Sequence, residues 1–180
     1  MFEITKEDIE SLNDTDLRTL IGRLCEADLY ALGDSTRHVS YGGNQDEKDG
    51  GIDVKVDATK IVGNSSFILK NNTIFQVKKP SMNPSKIKSE MKNKDGSLKE
   101  CILNLSKCNG AYIIVSSGDD LTELTYQSRI KSMKEALAEF EVNNIEVEFY
   151  DCSKVASWVR NYPSLVCWVN DKNKKNTNGW

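Results

Sequence analysis

Two runs of sequence decide the fold: Asp49-Gly-Gly-Ile-Asp53-Val-Lys-Val-Asp57 and, after a short insertion, Thr73-Ile-Phe-Gln76-Val-Lys78-Lys79. Side chains along a strand alternate between its faces, so Ile52, Val54 and Val56 share one side while Asp53, Lys55 and Asp57 share the other. The same count on the second run puts Phe75 and Val77 on one face and Ile74, Gln76 and Lys78 on the opposite one. Between the runs, Thr59 to Asn72 contains Gly63, Asn64, Asn71 and Asn72 and reads as a loop returning the chain into a neighbouring strand. If the two strands pair, an acid, an amide oxygen and an ammonium group converge.

Carboxylate and carbonyl oxygens are hard ligands suited to Mg²⁺, which is usually held by one or two carboxylates together with substrate phosphate. A lysine beside them adds positive charge where a phosphoryl centre gains negative charge in the transition state. These are the smallest set of groups needed for metal-assisted hydrolysis of a phosphodiester. Either run alone has an ordinary explanation, a glycine turn beside an acid or a solvent-facing strand side. Both together, with their polar members in phase, point to chemistry.

A chain of 180 residues suits one domain with a full core. Its 38% hydrophobic and 28% charged residues fit a soluble globular protein. No apolar run approaches a membrane span and the first residues lack a secretory pattern, so the expected compartment is the cytoplasm, with no membrane partner. Cys25, Cys101, Cys108, Cys152 and Cys167 show no C-x-x-C spacing, and His38 is the single histidine. That scarcity argues against a structural zinc site and against histidine-based catalysis, leaving His38 as a strand-face residue and the thiols as reduced core or surface residues. No P-loop motif occurs. The net charge of −3 does not advertise a nucleic-acid binder. Locally, however, Lys78, Lys79, Lys86, Lys88, Lys92, Lys94 and Lys99 face only Glu90, Asp95 and Glu100, a pattern that suits a phosphate-holding surface as well as a solvated helix face.

Thr5-Lys-Glu-Asp8 reads as a helix cap, and Leu17, Leu20, Ile21, Leu24 and Ala31 mark a longer helix from about Thr15 to Leu32 stopped by Gly33. Glu26 lies near the edge of that stripe. Thr36 to Tyr41 is a short strand, followed by a loop in which Asp46, Glu47 and Asp49 are turn formers or ligands of a second metal. Pro80 ends the second long strand, and Asn83-Pro84 opens a helix through Ile87 and Met91. Ser97-Leu-Lys-Glu100 has capping-box spacing before a helix carrying Leu98, Ile102 and Leu105. Ala111 to Val115 is a central strand ending in Ser116-Ser117-Gly118. Leu121 to Val142 is a helix with Leu124, Ile130, Met133, Leu137 and Phe140 on its apolar side and Arg129, Lys131 and Lys134 solvated. Ile145 to Phe149 is the last strand, near an edge, and Asp151 or Ser153 caps a helix with Val155 and Trp158. Tyr162 to Trp168 packs on the core. The fold class is therefore α/β, a mixed central β-sheet flanked by helices.

Asp49-Gly50-Gly51-Ile52-Asp53 followed by Gln76-Val77-Lys78 resembles the PD-(D/E)XK nuclease superfamily in its D-(x)n-Q-x-K form, nearest to Mrr-like restriction endonucleases and to the nuclease domains heading bacterial anti-phage sensor proteins of STAND NTPase or CBASS type. With element order included the likeness covers roughly residues 13 to 160. Gln76 replaces the commoner acid, the variant characteristic of the Mrr-like branch. The resemblance implies a restriction-endonuclease-like core over residues 1–170, with 171–180 as a polar tail or linker. It implies Mg²⁺, with Mn²⁺ as a substitute, held by Asp53, Gln76, the Val77 carbonyl and Glu26 from the first long helix. Lys78 would act in catalysis beside Asp53, Gln76 and Glu26. Lys79, Lys86, Lys88, Ser116 and Ser117 would face DNA. The implied partners are DNA, a second copy of the chain for activation, and C-terminal NTPase or sensor domains in a longer parent. The implied activity is endonucleolytic cleavage of duplex DNA in anti-phage defence. A non-catalytic nucleic-acid-binding or assembly module, or a repair or junction nuclease, are the alternatives.

Overall fold

The computed structural model describes residues 3–42, 52–60, 63 and 66–174. Asp46, Glu47 and Asp49, read from the sequence as further acids, lie outside the described residues.

The chain begins with α1 (Lys6–Glu10), whose Asp8 carboxylate accepts the Thr5 N–H at 3.0 Å, and α2 (Asp14–Ala31), capped by Asn13 accepting from the Asp16 N–H at 2.8 Å. Leu17, Leu20, Ile21, Leu24, Cys25 and Leu29 are the buried line of α2. Ala31 is exposed because, two residues beyond the buried Leu29, it falls on the opposite side of the helix. Gly33, at φ 73°, supplies the left-handed residue that ends the helix. A 3-10 turn over Thr36–His38 precedes β1 (Val39–Tyr41), so the strand starts three residues later than its sequence suggests. Ser35 caps that turn, and His38 sits at its end with Nδ1 2.9 Å from Asp34, not on a strand face.

β2 (Val54–Asp57) and β3 (Asn72–Lys78) pair antiparallel with Val54 opposite Phe75, and β1 pairs antiparallel with β2. α3 (Pro84–Glu90) and α4 (Glu100–Lys107) lead to β4 (Ala111–Ser116), which lies parallel to β3. Asn83 caps α3 through the Lys86 N–H. The capping box expected at Ser97 does not form: Ser97 hydrogen-bonds to Asp95 within a turn, and Lys99 occupies the N-cap of α4. α5 (Glu123–Ala138) crosses to β5 (Glu146–Tyr150), parallel to β4, and α6 (Cys152–Val159) and α7 (Pro163–Lys172) complete the chain. Asp171 and Lys172, assigned to the tail by sequence, finish α7. Leu124 of α5 is 82% exposed and takes no part in the core. Arg129 is not solvated either: it pairs with Asp119 at 3.4 Å.

The sheet runs β1-β2-β3-β4-β5, mixed, with β5 at an edge as the sequence indicated. Alternation along its strands divides the core in two. Val54, Val56, Phe75, Val77, Ile113 and Val115 face α1, α2, α6 and α7, where Trp158 stacks on Phe67 with ring centroids 5.0 Å apart. Ile74, Tyr112, Ile114 and Phe149 face α3, α4 and α5. Ile52 packs with this second cluster, against the expectation that it shares a side with Val54, because Asp53 bends the chain before β2 begins. This is an α/β architecture with helices on both faces. No helix among the described residues is long and apolar enough to cross a membrane.

Two buried acids pin connections. Asp34 accepts from the backbone N–H groups of Ser35, Thr59 and Lys60, which holds its carboxyl well below the usual range. Asp119 accepts from Ser81 Oγ at 2.7 Å and the Met82 N–H at 2.8 Å, tying the end of β4 to the segment after β3. Gly118 makes that approach possible, since a Cβ there would lie 2.6 Å from both the Lys79 carbonyl oxygen and the Ser81 nitrogen. Gly118→Ala is expected to lower stability by about 1–3 kcal/mol through this overpacking, read from urea denaturation. Asp34→Asn is expected to unfold more easily than the parent at neutral pH. Because the folded-state pKa of Asp34 is depressed, its contribution is present above the unfolded value of 3.8 and is lost as pH falls below it. Thermal melts from pH 7 to pH 3 should therefore show the gap constant at first and beginning to narrow once the pH falls below the unfolded value.

Candidate functional site

β3 runs three residues past the last pair it makes with β2. Its Phe75 carbonyl still accepts the Asp53 N–H at 3.2 Å, but the next N–H on that edge, of Val77, has no strand residue opposite. The Asp53 side chain takes its place. Oδ2 accepts from Val77 N at 2.8 Å and from Gln76 Nε2 at 2.6 Å. Oδ1 lies 2.8 Å from Arg18 Nε of α2, at ion-pair distance though without the alignment of a hydrogen bond. The Val77 carbonyl is turned by the ladder's alternation to this same edge.

Gln76 is 3% exposed, so the wet strand side that would have explained Gln-Val-Lys does not exist here. It stands among Ile74, Tyr112 and Ile114 with one amide group donating to Asp53 and its Oε1 buried and unpartnered. An unsatisfied buried acceptor costs about 1–3 kcal/mol, which a leucine would avoid. Tyr112 Oη, on the same face, is likewise buried without a partner. Burial pushes its phenol up, with smaller contributions from Cys101, Glu90 and Asp53.

Lys78 extends from the strand end to Glu90 at the end of α3, Nζ to Oε2 3.1 Å, and the other oxygen of Glu90 receives Lys99 Nζ at 2.9 Å. The sequence counted Glu90 as a stray acid in a basic run. Its position was legible all the same: it follows Ile87 by three residues and so shares the inward face of α3. Arg18 was also overlooked, although it heads the row Gly22, Cys25, Leu29 of buried positions on α2.

The remaining expected site residues divide. Glu26 accepts a hydrogen bond from Tyr41 Oη at 3.1 Å, and Tyr41 lies over Gly22. It sits eight positions beyond Arg18, about 12 Å along the helix, so a direct part in the Asp53 site is not what its hydrogen bond describes. Lys79 directs Nζ to the carbonyls of Glu10, at 2.9 Å, and Leu12, and so caps the end of α1 instead of facing a phosphate. Ser116 and Ser117 are buried, with hydroxyls donating to the carbonyls of Pro80 at 3.0 Å and Lys79 at 3.5 Å; they shape the strand end and present no hydroxyl outward. Lys88 pairs with Glu135 at 2.6 Å and Lys92 with Glu139, so the basic run is partly neutralised by α5. Lys86 remains exposed, its Nζ 3.3 Å from the Ser81 carbonyl.

Among the described residues no three His, Cys, Asp or Glu side chains converge. Magnesium does not require that, since it keeps several waters and accepts neutral oxygens. The Asp53 carboxylate, the Gln76 Oε1, which has no hydrogen-bond partner among the described residues, and the Val77 carbonyl are donors of the right chemistry. No family model, curated protein or solved structure matches the chain.

Glu90→Ala would leave Lys99, 11% exposed in its side chain, without its carboxylate. A loss on the order of 2 kcal/mol is expected by chemical denaturation, most of it recovered in the double variant with Lys99→Met.

Proposed function

We propose that the protein is a metal-dependent endonuclease acting on DNA. The observation that supports this reading is the Gln76 side chain near the end of β3: its amide donates to the Asp53 carboxylate, while its Oε1 is buried with no hydrogen-bond partner among the described residues, two positions before Lys78 on the same strand. An amide bearing an unsatisfied buried oxygen is a poor structural choice and a good metal ligand. The resemblance of Asp53, Gln76 and Lys78 to the D-(x)n-Q-x-K pattern of Mrr-like nucleases supports the same reading.

Asp53 and Gln76 would hold Mg²⁺, or Mn²⁺ in its place, with the Val77 carbonyl completing the protein's share. The ion would supply Lewis-acid polarisation of a phosphoryl oxygen and acidify water for attack. Asp53 is oriented for this by the Val77 N–H and by the Gln76 amide, so its carboxylate does not rotate freely. Lys78, steadied by Glu90, places its ammonium near the scissile phosphate, where it orients the attacking water and stabilises charge that develops in the transition state. Lys86 and Lys94 are exposed lysines of the basic run with no carboxylate partner among the described residues, and they suit contact with the phosphate backbone. By the same resemblance we infer a role as effector of an anti-phage system in the cytoplasm, released by self-assembly and controlled by sensor domains of a longer parent. Strong cutting by a verified monomer of that parent would count against the last point.

A non-catalytic binding or assembly module is the second reading. One observation favours it: Asp53 and Lys78 are each matched by an opposite charge within the chain, Arg18 and Glu90.

Incubation with supercoiled plasmid in Mg²⁺, Mn²⁺ or EDTA separates the two. Cleavage is expected with either metal and not with EDTA, and Asp53→Asn and Lys78→Ala should each reduce it on the order of 100-fold or more. Asparagine is chosen because it keeps an oxygen for the Val77 N–H, so circular dichroism should show both variants folded. Undiminished cutting by either variant removes the mechanism.

A further inference from the structure

Arg18 occupies an unusual position for a surface arginine. Its Nε is buried, 2.8 Å from Asp53 Oδ1 and unaligned for a hydrogen bond, while its side chain as a whole remains 19% exposed. Among the described residues no group accepts a hydrogen bond from its two Nη groups. One edge of the guanidinium thus neutralises the carboxylate while its outer donors have no partner among the described residues. Arginine is the side chain whose planar donors match two phosphate oxygens at once.

Two positive groups cannot share one carboxylate oxygen without repulsion. A dication at Asp53 brings twice the charge of the guanidinium and needs the same anion. On the nuclease reading given above, on which this inference rests, we propose that Arg18 is a catalytic residue with two stations. At rest it is the counter-ion of Asp53. When a dication takes that carboxylate, Arg18 turns its Nη groups onto a non-bridging oxygen of the scissile phosphate. Its ammonium counterpart Lys78 is anchored separately by Glu90, so the phosphate would meet one cation from α2 and another from the end of β3. The exchange needs only rotation of a long side chain, since α2 is fixed through Leu17, Leu20, Ile21 and Leu24.

The two stations give Arg18 variants opposite effects on metal affinity and on chemistry, a combination that loss of a structural ion pair does not produce. Mn²⁺ binding is measured without DNA, by the paramagnetic resonance signal of free Mn²⁺, and cleavage is measured in single turnover at saturating Mn²⁺. Arg18→Ala is expected to bind Mn²⁺ about tenfold more tightly, because the competing cation is gone. It should cleave on the order of 100-fold more slowly, because the phosphate has lost its donor. Arg18→Lys keeps the charge but not the paired donors, so it should bind Mn²⁺ like the parent and still cleave slowly. A denaturation curve for each variant confirms that it is folded under the assay conditions. Arg18→Ala that cleaves as fast as the parent or faster overturns the proposal and leaves Arg18 a counter-ion only. Unchanged or weaker Mn²⁺ binding by that variant overturns it as well. In both cases the parent still binds metal and cuts, so the nuclease reading survives. A parent chain that neither binds Mn²⁺ nor cuts defeats the nuclease reading and this inference with it.

Discussion

Strand β3 outruns β2, and among the described residues no strand lies beside the N–H of Val77. A buried N–H in that position must find an acceptor or cost about as much as a lost hydrogen bond. Asp53 supplies one from its side chain because the chain bends just before β2 begins. That single substitution of side chain for backbone determines much else. It brings a carboxylate to the end of the central strands, recruits the Gln76 amide to the same oxygen, and draws in Arg18 from α2 to balance the charge. The group that completes the ladder is thus the group on which the chemistry would depend, and folding and function place the same demand on one residue.

The polar set is sustained by an otherwise dry environment. Phe75 and Val77 point into one core and Ile74 into the other, so Gln76 is enclosed by apolar neighbours on the face it shares with Tyr112 and Ile114. In such surroundings electrostatic interactions are stronger than in water, and an unpaired oxygen is correspondingly expensive. Both Gln76 Oε1 and Tyr112 Oη are in that condition, on adjacent strands. The helical layer of α3 and α4 brings Glu90 and Lys99 over the same region, so the strand end carries alternating charges from Arg18 through Asp53 to Lys78, Glu90 and Lys99.

The strands and the meeting of Asp53 with Gln76 were legible in the sequence because successive strands with polar members in phase bring those members together, and a mixed sheet follows from three strands in succession and then two separated by helices. Relationships across helical layers were not. Glu90 and Arg18 meet Lys78 and Asp53 only after α3 and α2 dock on opposite faces, and no local pattern states that docking. Ser97 misled for a related reason: its spacing to Glu100 suits a cap, but Asp95 is nearer and captures it in a turn. The lysine run misled because charge counting along the chain ignores what comes from elsewhere, here Glu135 of α5 and Glu139 at its C-cap. Ser116 and Ser117 looked like surface residues from their place at a strand end, yet the Gly118 contact draws the post-β3 backbone down onto them.

Two consecutive lysines at the end of β3 reach in opposite directions. Lys78 is fastened to α3 on one side of the sheet, and Lys79 to the carbonyls at the end of α1 on the other. The strand end is therefore moored to both helical layers at adjacent residues, like a beam bolted above and below. Any sliding of one layer against the other would twist the backbone between those two moorings and reaim the Lys78 ammonium. A force applied far away, on α1 or on the partners of α3, would reach the site as torque, without any loop having to open or close.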